Sequence, residues 1–159
     1  GLEGVMAEPL HVRLLPVPGK PWAQQRTLTV VAICVWAEDR THGLIPMVAM
    51  VQALGNRVAD PRWPDDWKGV ILQKDQISSF NADNPWLDWL WHPLDHGPVQ
   101  VWKNGVIAAV VGLYGLWEDL VNGANHWYAP GAMPGGKPPW WAANMIETAR
   151  WGGHIFLKG

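Results

Sequence analysis

The stretch Thr27-Leu28-Thr29-Val30-Val31-Ala32-Ile33-Cys34-Val35-Trp36-Ala37-Glu38-Asp39-Arg40 decides how this chain is read. It is apolar almost to its end and rich in Val and Ile. Such a run fits a buried strand or a buried helix, and periodicity alone does not arbitrate. As a helix, it places Val31, Cys34 and Val35 on the face of Glu38, at spacings of seven, four and three. That face is apolar and points inward. A carboxyl at the edge of an apolar core loses hydration, which raises its pKa. It then holds a proton near neutrality and can donate it to a leaving oxygen. Asp39 is rotated by about 100° on a helix and points elsewhere, so the two carboxylates are not automatically a catalytic pair. The plainer alternative is that Glu38 pairs with Arg40 or Arg57, since structural ion pairs also perturb carboxylates.

Outward from this segment the chain reads as mainly helical. Pro46 suits the first turn of a helix, and Met47, Met50, Val51, Leu54 and Val58 recur at spacings of three and four. Asp65 or Asp66 can cap a short helix through Trp67, Val70, Ile71 and Leu72. Residues 78–96 are irregular and aromatic, a long loop of the kind that often carries function. Pro98 opens a further helix bearing Trp102, Val106, Ala109, Val110 and Leu113, with Gly112 and Gly115 marking close packing or a kink. Residues 130–139 form a Gly/Pro loop. Trp140 is expected to start a short helix reaching Arg150, before a terminal segment at residues 152–158. Residues 1–26 are read as an N-terminal arm and 27–159 as the folded domain. Gly1 to Val5 look like an expression scar ahead of Met6.

Composition narrows the partners. The chain has 159 residues, 48% of them apolar, and a formal net charge of −2. A protein whose main ligand is nucleic acid needs a basic patch, so nucleic acid is not the expected partner. The apolar run at residues 105–117 is too short to cross a bilayer, which takes about 20 residues in a helix. No charged head followed by a long apolar stretch opens the chain, so no export signal is expected. Cys34 is the lone cysteine and makes no internal disulfide. Its apolar surroundings favour an inert core thiol over a nucleophile. Tryptophan is the outlier, with 13 residues against two Phe and two Tyr. Indoles bury large areas and stack on flat apolar faces, sugar rings among them. Trp36, Trp86, Trp89, Trp91 and Trp127 are candidates for that role, against core packing for each.

Other chemistries are weakly supported. His92 and His96 are four apart, but Pro93 stands between them, so they are not a helical zinc pair. His42, His126 and His154 are scattered, which leaves a zinc-dependent amidase as a rival reading. No glycine spacing matches a phosphate loop, and no cofactor or metal is expected.

Several stretches, in order, carry a resemblance. Ala37-Glu38-Asp39-Arg40 is similar to a Glu-Ala-Arg-Gly-Glu signature, and Asn56-Arg57-Val58 follows Glu38 by eighteen residues, beyond a helix rich in small apolar residues. Gln76-Ile77-Ser78 resembles Gln-Phe-Ser, with Phe80-Asn81 just beyond. Asp119, Gly123, Ala124, Trp127 and Tyr128 match an Asp-Pro-Thr-Gly-Gly-Ala motif and its aromatics. Gly152-Gly153-His154-Ile155-Phe156 matches a closing Gly-x-His-x-Phe. Together they resemble the cell-wall hydrolase family typified by spore-cortex-lytic enzymes, which includes phage lysins. The resemblance runs from about residue 27 to 158. His42 stands at the signature's second Glu, Thr41 at its Gly and Asp39 at its Ala.

The resemblance implies a mainly α, single-domain, lysozyme-like fold with little β structure, and so a helix over residues 27–38. It implies Glu38 as the catalytic acid on bacterial peptidoglycan glycan strands, cutting between N-acetylmuramic acid and N-acetylglucosamine. A lytic transglycosylase is favoured over a muramidase, with Asp39, Asp75 and Asp119 as the available second carboxylates. Arg40, Asn56, Gln76, Ser78, Trp127, Tyr128 and His154 are the expected binding or supporting residues. A monomeric endolysin is expected, held in the host cytoplasm before release to the wall. A non-catalytic glycan-binding module is the other rival.

Overall fold

The computed structural model describes residues 8–159. Gly1 to Val5, read above as a scar, lie outside the described residues. The segment that decided the reading is a helix, α2 (Thr27–Glu38), and Thr29 through Trp36 are all buried. A helix that is apolar all round belongs in the middle of a core, and α2 lies there. Around it pack α3 (Leu44–Val58), the short α4 (Trp67–Leu72) and α5 (Val99–Leu113). Asp66 caps α4, its Oδ1 accepting from the Gly69 amide at 2.9 Å. Two glycines of α5 set how close the helices come. A Cβ on Gly112 would stand 2.1 Å from Val51 Cγ1, and one on Gly105 would stand 3.1 Å from the Ala32 carbonyl oxygen. Side chains there would push α5 off α3 and α2.

The arm is more structured than an extended strap. It opens with a helical turn, α1 (Leu10–Arg13), and makes a 3-10 turn at Trp22–Gln24. It is pinned to the core where Trp102 Nε1 donates to the His11 carbonyl at 2.6 Å and Thr29 Oγ1 donates to the Leu14 carbonyl at 2.8 Å.

The C-terminal part corrects one expectation. Instead of a helix to Arg150, a 3-10 turn at Trp140–Ala142 leads into a strand, β2 (Ile146–Trp151). This strand forms an antiparallel hairpin with β3 (His154–Lys158), and β1 (His126–Tyr128) pairs with the other edge of β3. β3 is the central strand, so His154 through Leu157 are buried while β2 is largely exposed. Pairing to this buried strand, which no local pattern reveals, overrides the helix suggested by residues 140–150. The hairpin turns at Gly152, whose φ of 58° is one that glycine adopts without strain. The fold is thus mainly helical with one small sheet.

Candidate active site

Glu38 is the last residue of α2, and its backbone is the last to follow the helix. Val31, Cys34 and Val35 on its face are fully buried, so the carboxyl emerges where the core meets a groove. Ser79 donates its hydroxyl to Glu38 Oε1 at 3.3 Å. Burial pushes the Glu38 pKa above the ordinary carboxylate value. Hydrogen bonding from Ser79 and Trp127, and the charges of His154 and Arg57, pull the other way without cancelling the rise. No Lys or Arg among the described residues forms an ion pair with Glu38. The simple pairing with Arg40 or Arg57 is therefore not found. Arg40 instead lies over the Trp36 ring at 4.6 Å, and Arg57 donates through Nε to the Asn125 carbonyl at 2.6 Å.

Asp39 leaves the helix with extended backbone (φ −151°, ψ 106°). Its side chain is only 2% exposed. Burial opposes its ionisation. The surrounding donors outweigh that and hold its pKa well below the usual range: His154, the Thr41 amide at 3.0 Å and His42. His42 Nδ1 stands 2.9 Å from Asp39 Oδ1, and His154 Nδ1 stands 3.4 Å from Oδ2. His154 comes from the start of β3, so Asp39 ties the end of α2 to the hairpin. The hairpin turn packs directly on His42: a Cβ on Gly152 would lie 2.8 Å from the His42 Cβ.

Three cavities meet around the end of α2. The first, about 480 Å³, is lined by Glu38, Arg57, Asp75, Gln76, Trp127 and Trp141 among others. The second, about 510 Å³, runs from Glu38 over Arg40 and His42 to His154 and Gly131. The third, about 400 Å³, holds Trp36, Arg40, Ser79, Trp86 and Trp89. Glu38 is common to the first two, Arg40 to the last two and Ser78 to the first and third. The three form one groove with Glu38 on its floor.

Of the residues singled out from sequence, Arg40, Gln76, Ser78, Trp127 and His154 line this groove with Glu38. Asn56 and Tyr128 are not brought to it. Asn56 donates to the Ala124 carbonyl at 2.8 Å and, with Arg57, anchors the chain leading into β1. Tyr128 packs edge-on against Trp141, with ring centroids 6.2 Å apart. Cys34 is buried in the core, where burial raises its pKa. Sequence reasoning missed Ser79, whose hydroxyl, and not that of Ser78, reaches Glu38. It also missed Trp140 on the groove rim, 88% exposed, and His126 in the groove wall. Burial, with the nearby charges of Arg57 and Arg62, pushes the His126 pKa down to about 4, so it is neutral at pH 7. Among the described residues, no three His, Cys, Asp or Glu side chains are grouped so as to hold a metal ion. No helix there is long and apolar enough to cross a membrane.

The chain is thus a mostly helical domain with a half-buried acid facing an aromatic groove. The fold is shared with the catalytic domain of the Bacillus cereus SleB protein (TM-score 0.60, 20% identity, 83% of this chain and 89% of that one). It is shared equally with the catalytic domain of SleB from Bacillus anthracis, described as a germination-specific lytic transglycosylase (TM-score 0.61, 22% identity, 89% of this chain and all of that one). No curated protein sequence matches the chain. Residues 42–157 match the Cell Wall Hydrolase family, and the chain belongs to that family. Glu38 lies just ahead of the matched residues.

Proposed function

We propose that this cell wall hydrolase cuts the glycan strands of bacterial peptidoglycan, with Glu38 as general acid and then base. The observation that carries the proposal is the setting of Glu38: a carboxyl with raised pKa, on the floor of a groove, held by Ser79 and without an ion-pair partner among the described residues. Protonated Glu38 gives its proton to the glycosidic oxygen as the bond between muramic acid and glucosamine units breaks. Trp127 and Ser79 fix the carboxyl, and Arg57 stabilises the carboxylate that remains after proton transfer.

The second half of the reaction is then an internal one. Of the three carboxylates named as partners for Glu38, Asp39 is held by His42 and His154. Asp119 accepts from the Val121 and Asn122 amides. Asp75 lines one cavity with Glu38, loosely held, and Asp39 lines another with it. With no second carboxylate fixed for attack or for activating water, the muramic acid hydroxyl closes on its own anomeric carbon and Glu38 takes that proton. This is lytic transglycosylation, leaving an anhydro-muramic end. The fold shared with a lytic transglycosylase supports the same choice.

Digestion of purified peptidoglycan by wild type and Glu38→Gln, with and without chelator, tests this by mass spectrometry. Anhydro-muramic products lost in the variant, and indifferent to chelator, are expected. Undiminished cleavage by Glu38→Gln would overturn the proposal. An amidase would instead release stem peptides and stop with chelator. The endolysin setting belongs to the same proposal. Cells making the chain in their cytoplasm should lyse only when a membrane-perforating partner is co-expressed, and lysis without one would contradict it.

A further inference from the structure

We infer that the pocket bounded by Trp86, Trp89 and Arg40 is a binding position for a neutral N-acetylhexosamine ring of the glycan, next to the site of Glu38. This rests on the glycan-cutting reading above and adds to it a place where the strand is gripped.

Residues 82–96 carry three tryptophans, and the fold treats them differently. Trp91 is tucked away, stacked on Trp22 with centroids 5.3 Å apart and planes 10° apart. Its Nε1 donates to the Lys20 carbonyl at 3.2 Å. Trp86 is left 57% exposed, tilted against Trp89 at 4.7 Å and 53°. Trp89 is braced from behind by His96, stacked at 4.0 Å and 3°. An exposed indole leaning on a braced one makes an apolar corner. This corner opens into the cavity that also holds Arg40 and Trp36. Flat pyranose faces stack on indoles, and Trp91 shows that this segment can pack a tryptophan against the body of the domain.

The polar lining selects the ligand. Arg40 lies over Trp36 at 4.6 Å and 5.9 Å from the Trp89 ring centroid. No carboxylate among the described residues pairs with it, and its contact to the His96 carbonyl is long, at 3.5 Å. Trp36 lines the same pocket, is 1% exposed, and its Nε1 has no acceptor among the described residues. Arg40 is therefore an unspent donor, while the Trp36 Nε1 is buried beneath it. Asp83 on the rim and Asn81 supply acceptors. One cation and one anion leave the pocket without net charge. Mixed donors and acceptors beside an aromatic shelf suit hydroxyls and an acetamido group, whereas an anionic stem peptide would meet Asp83.

The pocket is also wired to the acid. Asn84 Oδ1 accepts from the Trp86 amide at 3.0 Å, and its Nδ2 donates to the Ser79 carbonyl at 2.8 Å. Ser79 in turn donates its hydroxyl to Glu38. The shelf is therefore held in fixed relation to Glu38 before substrate arrives, which lowers the entropic cost of binding.

The test compares full-length wild type, Trp86→Ala, Trp86→Phe and Tyr114→Ala on peptide-free glycan strands prepared from peptidoglycan. Trp86→Ala should raise KM about 3- to 10-fold, the range an aromatic stacking contact supplies, with kcat unchanged. Trp86→Phe should recover most of the loss. Tyr114→Ala, another exposed aromatic (65%) but outside the groove, should change nothing. Binding of the same strands, followed by tryptophan fluorescence, should weaken in parallel. Wild-type KM and affinity in Trp86→Ala would overturn the pocket even if Glu38→Gln is inactive. An active Glu38→Gln would overturn the catalytic reading instead, and the pocket would then stand or fall on the binding measurement.

Discussion

The end of α2 presents two carboxylates one peptide apart, and the regions they enter could hardly differ more. Glu38 faces the groove, with one hydroxyl donor at 3.3 Å and an apolar helix face beneath it. Asp39 faces the hairpin, ringed by the Thr41 and His42 amides and by two imidazoles. Burial acts on both. On the groove side too few donors answer it, and the pKa goes up. On the hairpin side the donors win, and the pKa goes down. Desolvation alone does not make an acid catalyst. It does so where hydrogen bonding is left incomplete. The helix end supplies this asymmetry, since one residue continues the spiral and the next turns out of it.

The largest effect that tests the contrast is on turnover. Glu38→Gln keeps the shape and removes the proton, and general acid catalysis is worth about 10²- to 10⁴-fold. Muropeptide release should fall by that factor, with glycan binding retained. Asp39→Asn should act differently. It strips a buried charge from its donors, at a cost of about 2 kcal/mol, which for a domain of this size lowers Tm by roughly 4–8 °C. Activity should fall only as far as the hairpin loosens. If Asp39→Asn were as dead as Glu38→Gln while fully stable, Asp39 would have a direct chemical role and the contrast would fail.

The pH dependence of stability should have opposite signs at the two positions. Asp39 has a depressed pKa in the folded chain. Its contribution is therefore present above the ordinary Asp value near 4 and fades as pH falls through the folded value. The deficit of Asp39→Asn should shrink in acid. Glu38 has a raised pKa in the folded chain. Its protonated form is favourable at low pH, and that contribution is lost as pH rises through the folded value. Glu38→Gln, which never ionises, should therefore be more stable than wild type at pH 7. A gain of about 0.5–2 kcal/mol is common when a functional site is relieved. The gain should vanish below the ordinary Glu range. Denaturant melts at pH 7, pH 4 and about pH 2 measure both differences, the Asp39 one falling away only below pH 4, and a gap that widens in acid for Glu38→Gln would contradict the assigned direction.

Much of this was legible before any coordinates. An apolar segment ending in Glu38 already implies a carboxyl at the boundary of a core, once the segment is taken as helical. The three- and four-residue spacings of α3 and α5, and the close approach at Gly112, follow from the side chains themselves. The sheet did not show, because residues 146–151 gain their strand character from pairing with β3, a long-range contact. Ser79 and Ser78 are equivalent on paper, and only the 3-10 turn at Ser78–Phe80 decides which hydroxyl meets Glu38. Motif matching drew in Asn56 and Tyr128 for the same reason it drew in Trp127: a motif marks residues that hold the fold as well as those that face the substrate. The three tryptophans of residues 82–96 share one composition signal, and their partners alone separate the packed Trp91 from the open Trp86.

A third carboxylate sharpens the contrast by what it lacks. Asp75 lines the cavity that holds Glu38 and sits at a φ of 62°, a left-handed conformation that Asp tolerates better than most residues. It is exposed, and no hydrogen bond orients its side chain among the described residues. Neither feature of the pair at the end of α2 is present there: no burial beneath it, no ring of donors to fix it. A hydrolase of the two-carboxylate kind needs its second group held about 5–9 Å from the first, positioned for attack or for a water. A loosely held Asp75 does not meet that demand, so Asp75→Asn should lower turnover by less than about threefold, far short of the loss at a true general base. Its products should keep anhydro-muramic ends. A loss near that of Glu38→Gln, with reducing ends in wild-type digests, would make Asp75 the base and the enzyme a muramidase. The groove would then close around Asp75 when glycan binds, supplying the fixed geometry that the free enzyme lacks.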